Sequence, residues 1–129
     1  MAEDREQFER RLFSTFVKEA RAHLEAMAGL LAALEREPVR ADLLAELLRR
    51  VHSMKGAADA VEQQQAALVC RALEQAVHKA RRGECLADAG FFSLMRQGSQ
   101  ALETGLASVA DGGSFTIPLQ FLESMRKLT

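Results

Sequence analysis

Apolar residues recur at steps of three and four along most of this chain. Phe8, Leu12, Phe13, Phe16, Ala20, Leu24, Met27, Leu31 and Leu34 predict one long amphipathic helix over 7–36, because that spacing gathers them on one stripe of a 3.6-residue helix. Glu37-Pro38 ends it, since the residue before a proline is pushed out of the α region. Leu44, Leu47, Val51, Met54 and Ala58 form a second stripe and predict a helix over 40–60. A third stripe, Ala66, Val69, Cys70, Leu73, Val77 and Ala80, predicts a helix over 64–82. It closes on Arg81-Arg82-Gly83, which puts cations at the negative helix end and glycine just beyond it. Between these two, Val61-Glu62-Gln63 interrupts the pattern with neither glycine nor proline.

Asp88 is an N-cap residue for a fourth helix over 89–109. Its stripe is Phe91, Leu94, Met95, Gly98, Ala101, Leu102, Gly105, Leu106 and Val109. Asp111-Gly112-Gly113-Ser114 reads as a loop. A short fifth helix is expected over 118–128, with Phe121, Leu122, Met125 and Leu128 on one face and Thr116 as its cap. Long helices joined by short links are antiparallel neighbours. The expected fold is therefore all-α: one domain, 1–129, built as an up-down-up-down four-helix bundle with a fifth C-terminal helix packed on it.

Composition narrows the function classes. A formal net charge of −1 leaves no basic footprint for nucleic acid and no polybasic membrane patch. The opening Met-Ala-Glu-Asp-Arg-Glu-Gln is too charged for a signal peptide, and no apolar run reaches membrane-spanning length. A cytoplasmic location is the expectation. Cys70 reads as a small core residue and Cys85 as part of a loop; neither suggests a metal site or a disulfide framework. Met27, Met54, Met95 and Met125 follow the helical spacing and fill the core. His23 is expected to be solvated on the outer face of the first helix, and His78 is too exposed and too alone to ligate a metal. With no glycine-rich phosphate loop and no acidic metal cluster, the chain is not expected to be an enzyme by itself or to bind a cofactor; as an isolated domain it is expected to be a monomer.

The stretch around His52 is where chemistry enters. On the second helix His52 falls off the core stripe toward solvent. Lys55 follows one turn on along the same flank, and Gly56 lies above His52 at i+4. A glycine inside a helix costs about 1 kcal/mol against alanine, so it asks for a reason. Access is one: with no side chain there, a bulky reagent or another protein can approach the imidazole. Leu48, Lys55, Gly56 and Asp59 then frame a small mixed face for a partner. For an isolated His-x-x-Lys-Gly an ordinary surface histidine is the commoner outcome. In an antiparallel pair His52 comes level with the region of Arg71 to Glu74. Glu74 flanks the core stripe, so it is placed either to accept the Nδ1 proton of His52 or to pair with Arg71 or His78 on its own helix.

His52-Ser53-Met54-Lys55-Gly56, a following helix with Leu73-Glu74, and the turn Arg81-Arg82-Gly83-Glu84 together resemble the histidine phosphotransfer (HPt) domain. The nearest likeness is to the N-terminal HPt domain of chemotaxis-type histidine kinases, and it covers most of the chain, fifth helix included. The resemblance implies that His52 is the phosphoacceptor, that Lys55 helps hold the phosphoryl group and that Glu74 orients the imidazole. It also implies partners: a kinase catalytic domain that supplies ATP and Mg²⁺, and a response-regulator receiver domain whose aspartate takes the phosphoryl group. Three features depart from that family's pattern. Val61-Glu62-Gln63 stands where a glycine-containing turn is usual, Asp59 adds a charge near the site, and Arg71 occupies a position often held by a second histidine. The altered turn and Arg71 keep open an alternative, a degenerate HPt-like module that docks a receiver or kinase domain without carrying phosphate. Ending directly after a helix at Lys127-Leu128-Thr129, the chain is expected to be a domain rather than a complete kinase.

Overall fold

The described residues form five helices: α1 (Ala2–Arg36), α2 (Ala41–Ala60), α3 (Gln64–Arg81), α4 (Ala89–Ala110) and α5 (Leu119–Arg126). The computed structural model describes residues 2–84 and 87–127, with side chains from residue 4 onward. Cys85 and Leu128 lie outside the described residues.

Packing closes the first four helices into a ring, α1 on α2, α2 on α3, α3 on α4 and α4 on α1, with α5 resting on α4. Contacts across the seams run antiparallel. Glu35 near the end of α1 pairs with Arg96 in the first half of α4, and His23 of α1 meets Arg50 of α2. The buried residues of α2 are Leu44, Leu47, Val51, Met54 and Ala58, the stripe that the spacing predicts. Met27, Leu34, Leu47, Val51, Leu73, Val77 and Met95 are fully buried between the helices. Burying such a side chain is worth about 1.5–3 kcal/mol each, so the shared core dominates the fold.

α1 departs from expectation at its beginning. It starts at Ala2, five positions before residue 7. Its 35 residues rise to about 52 Å at 1.5 Å per residue, against about 30 Å for the 20 residues of α2. The first turns of α1 therefore outrun their partners, and Phe8 and Leu12 are exposed although they continue the apolar stripe. The stripe of α5 is corrected too. Phe121 is buried, Met125 half-buried and Leu122 exposed, because α5 touches the bundle along one narrow edge. Thr116 is not its cap; the N-cap position is Pro118, with no side-chain hydrogen bond.

The helix ends explain the turns. Asp88 accepts a hydrogen bond from the Phe91 N–H and caps α4. α3 and α4 end in the same way: the N–H groups of Gly83 and Glu84 return to the carbonyls of Ala80 and Lys79, and those of Gly112 and Gly113 to Val109 and Ser108. Gly83 and Gly112 have positive φ, as a left-handed closing residue requires. α2 makes the same closure without glycine. Glu62 N–H reaches Asp59 O, Gln63 N–H reaches Ala58 O, and Glu62 itself sits at φ 58°. The Val61-Glu62-Gln63 turn is thus a glycine-type helix end made with a glutamate.

Gly98 belongs to the core for a different reason. A Cβ there would collide with the side chain of Leu73, so its absence sets the close approach of α4 to α3. Gly105 likewise leaves room for the Phe115 ring, which folds the segment after α4 back onto it.

Candidate functional site

α2 and α3 pack along a long seam, and the stripe residues of each fix which side chains flank it. His52 stands on the solvent side of α2, its side chain 70% exposed. Glu74 rises from α3 beside the buried Leu73 and is only 13% exposed. The two meet across the seam, with His52 Nδ1 2.6 Å from Glu74 Oε2. The other oxygen of the same carboxylate accepts from Lys55 Nζ at 2.7 Å. Glu74 therefore uses one oxygen for each of two residues on α2, a turn apart.

That arrangement decides between the partners open to Glu74. Its bonds go across the seam, and among the described residues no hydrogen bond or ion pair joins it to Arg71 or His78. Burial alone would raise the Glu74 carboxyl, but the hydrogen bonds from Lys55 and His52, with their charges, outweigh it and hold the group below its ordinary range. An ionised carboxylate only accepts, so the proton between Glu74 and His52 is carried on Nδ1. In the neutral imidazole this leaves Nε2 as the lone-pair nitrogen, facing solvent.

The remaining residues singled out from sequence frame this pair. Leu48 is half-buried and packs on the core edge, while Gly56 and Asp59 are exposed on the same flank of α2. A Cβ on Gly56 would meet nothing within 4 Å, so packing does not demand a glycine there. Arg71 is exposed on α3, with no hydrogen bond or ion pair to any described residue. Lys55 is half-buried rather than free, its side chain 22% exposed and its ammonium committed to Glu74. Sequence reasoning missed that commitment, although the signal was present: at i+3 from His52, Lys55 shares the flank that faces Glu74.

Beneath the site lies Cys70, buried on α3. Burial pushes its thiol up to about 12, and the neighbouring Glu74 and Asp59 carboxylates add to this. It is a packed thiol and no nucleophile. His23 is not a solvated surface residue as expected. It is half-buried against α2, its Nδ1 accepting from Arg50 Nη1 at 3.3 Å. Burial first, then the Arg50 and Arg49 charges, lower its pKa, and Glu19 only partly opposes them.

The site contains an imidazole open to solvent, an acid bonded to its Nδ1 and a cation bonded to the acid. Among the described residues no group of His, Cys, Asp or Glu gathers in a way that could hold a metal ion, and no helix is long and apolar enough to cross a membrane. The model of the Hpt domain family matches residues 11–112. The chain is 26% identical over 102 residues to the chemotaxis protein CheA of Listeria monocytogenes, covering 79% of this chain and 16% of that protein. It is 26% identical over 98 residues to CheA of Bacillus subtilis, covering 76% of this chain and 15% of that one. The chain thus spans less than a fifth of the length of these relatives. Among solved structures, the CheA phosphotransferase domain from Thermotoga maritima superposes with a TM-score of 0.75 at 24% identity, covering 78% of this chain and 95% of that domain. That likeness concerns the fold, a four-helix bundle.

Proposed function

Because the chain belongs to the Hpt domain family, we propose that it is a phosphoryl carrier of chemotaxis-type two-component signalling, with His52 as the residue that is loaded and unloaded. The observation that carries the reading is the 2.6 Å contact between Glu74 Oε2 and Nδ1 of an otherwise exposed His52. A carrier needs a nucleophile that two different proteins can reach, and it needs the reacting nitrogen deprotonated at the moment of attack. Holding the proton on Nδ1 does this without covering Nε2.

In the first step the Nε2 lone pair attacks the γ-phosphorus of ATP held by a separate kinase domain. The Nε2–P bond forms, the bridging P–O bond breaks and ADP leaves. In the second step a carboxylate oxygen of a receiver-domain aspartate attacks the same phosphorus, the P–N bond breaks and the imidazole is restored. Through both steps the Nδ1 proton stays against Glu74, which offsets positive charge on the ring. ATP and Mg²⁺ belong to the partner domains, and little is asked of the carrier beyond positioning. The small face made by Leu48, Gly56 and Asp59 is where those partners would approach.

The test is transfer itself. Incubated with the ATP-binding domain of a chemotaxis-type kinase and labelled ATP, the chain should take up label that is acid-labile and base-stable. A receiver domain should then remove it. A chain that binds the receiver domain but takes up no label is a docking module, and the carrier reading is wrong.

A further inference from the structure

A phosphoryl group on His52 brings about 1.5 to 2 negative charges to the α2–α3 seam. Two carboxylates, Glu74 and Asp59, already stand there. The obvious cation, Lys55, is spent: it is half-buried and bonded at 2.7 Å to Glu74. Letting it swing to the phosphoryl group would break that bond and release the acid that orients the imidazole. Arg49 and Arg50, on the turn before His52, are both tied to Glu46.

Arg71 is differently placed. The bonds from Glu74 to His52 and Lys55 set the register of α3 against α2. Stepping back three residues on α3 moves forward along α2, so Arg71 comes level with Lys55 to Asp59, where Gly56 leaves open space. At i−3 from Glu74 it occupies the same face, with Cβ atoms about 5–6 Å apart. Its neighbour Cys70 is buried, and its thiol is raised by the Glu74 and Asp59 charges and lowered by Lys55, in keeping with that register. The guanidinium is exposed and holds no carboxylate, hydroxyl or carbonyl among the described residues.

We propose that the two cations of this site divide the work: Lys55 is a positioning residue that acts through Glu74, and Arg71 is the group that hydrogen-bonds the phosphoryl oxygens on His52. The proposal rests on the carrier reading and deepens it. Arg71 offers a planar fork of donors suited to a phosphoryl group. In a loose transition state negative charge drains from those oxygens toward the leaving nitrogen, so a cation on them stabilises the loaded state most. Arg71 should therefore prolong the phosphohistidine and, by attracting an anionic donor, speed its formation.

The experiment uses phosphoramidate, a small anionic donor, so that no partner protein is involved. Nε2 attacks phosphorus, the P–N bond of the zwitterionic donor, whose nitrogen is already protonated, breaks, and neutral ammonia leaves and is protonated by water. Loading and decay are followed by phosphorus NMR in the parent chain, Arg71→Gln, Arg71→Lys and Lys55→Gln, with the His52 tautomer read from its ring nitrogen shifts. Arg71→Gln should shorten the phosphohistidine lifetime and slow loading by about two- to fivefold each at ~0.1 M salt, as expected of an exposed ion pair, and the difference should fade at ~1 M. Its tautomer should match the parent, and Arg71→Lys should recover part of the lifetime. Lys55→Gln should shift the tautomer. If Arg71→Gln loads and decays like the parent while the parent is labelled on His52, the proposal is overturned and the carrier reading stands. A Lys55→Gln variant with a parent-like tautomer also overturns the division of roles. A parent that takes no label on His52 overturns the carrier reading, and the proposal with it.

Discussion

Glu74 and His52 are joined across two helices by a 2.6 Å contact, with the acid 13% exposed and the imidazole 70% exposed. The difference in burial is what makes the pair useful. The acid is held still by the core edge, and the base is offered to solvent. A hydrogen bond to a charged group contributes about 1.5–3 kcal/mol. Glu74→Ala should therefore slow phosphorylation of His52 by about tenfold or more, since 1.4 kcal/mol is one decade in rate. It should also move the His52 ring toward a mixture of tautomers, read by nitrogen NMR. Loading at the parent rate would mean that the tautomer is fixed by something else.

Two glycines should respond to the same substitution with opposite signs. Gly56→Ala meets open space and should stabilise α2 by up to about 1 kcal/mol through helix propensity. Gly98→Ala collides with Leu73, and such overpacking costs about 1–3 kcal/mol. Thermal unfolding of the two variants checks both. On the carrier reading Gly56→Gln should fold as well as Gly56→Ala yet slow transfer to a receiver domain.

Glu62 closes α2 at φ 58°, where a side chain is disfavoured by roughly 1–2 kcal/mol. Glycine would relieve that and give back part of the gain as chain entropy. Glu62→Gly should raise stability by about 1 kcal/mol, or roughly 3–5 °C in melting temperature for a domain of this size. An unchanged or lower melting temperature would show that the glutamate side chain contributes more than its backbone costs.

His23 gives a pH signature. Its pKa is lowered from 6.5, so below that value the unfolded chain binds the proton first and the folded chain resists it. The contribution of neutral His23 to stability is present above pH 6.5 and is lost as pH falls through the lower folded value. Burial and the Arg50 and Arg49 charges lower that value, and Glu19 opposes them only in part. Denaturant unfolding from pH 7.5 to 5 should show this loss in the parent and a flatter profile in His23→Gln.

Much of this was legible in the residues, and the gaps have physical causes. The α2 stripe, the Asp88 cap and the Gly83 closure are local, so spacing and residue type suffice for them. The exposure of Phe8, Leu12 and Leu122 is not local. A 3.6-residue period tells which face is apolar but not how far the neighbouring helices extend to cover it. Glu62 hid its turn because the left-handed residue was not a glycine. At the site the antiparallel register brought Glu74 level with His52. The second bond, from Lys55, is harder to read: its i+3 spacing puts it on the flank that faces Glu74, but a lysine beside an exposed histidine equally invites a direct role toward a phosphoryl group. The same bonds remove Arg71 as a competitor for Glu74.

Where phosphorus is attached decides whether His52 is the carrier residue. The chain should be loaded by a kinase domain or by phosphoramidate, and its phosphohistidine resolved by nitrogen and phosphorus NMR in the parent and in His52→Gln. His52 lies outside the core, so its replacement should change stability within about 0.5 kcal/mol. The expected product is a single phosphohistidine with phosphorus on Nε2 of His52, and no label in a His52→Gln chain that melts like the parent. Phosphorus on Nδ1, or label that survives in His52→Gln, would contradict it.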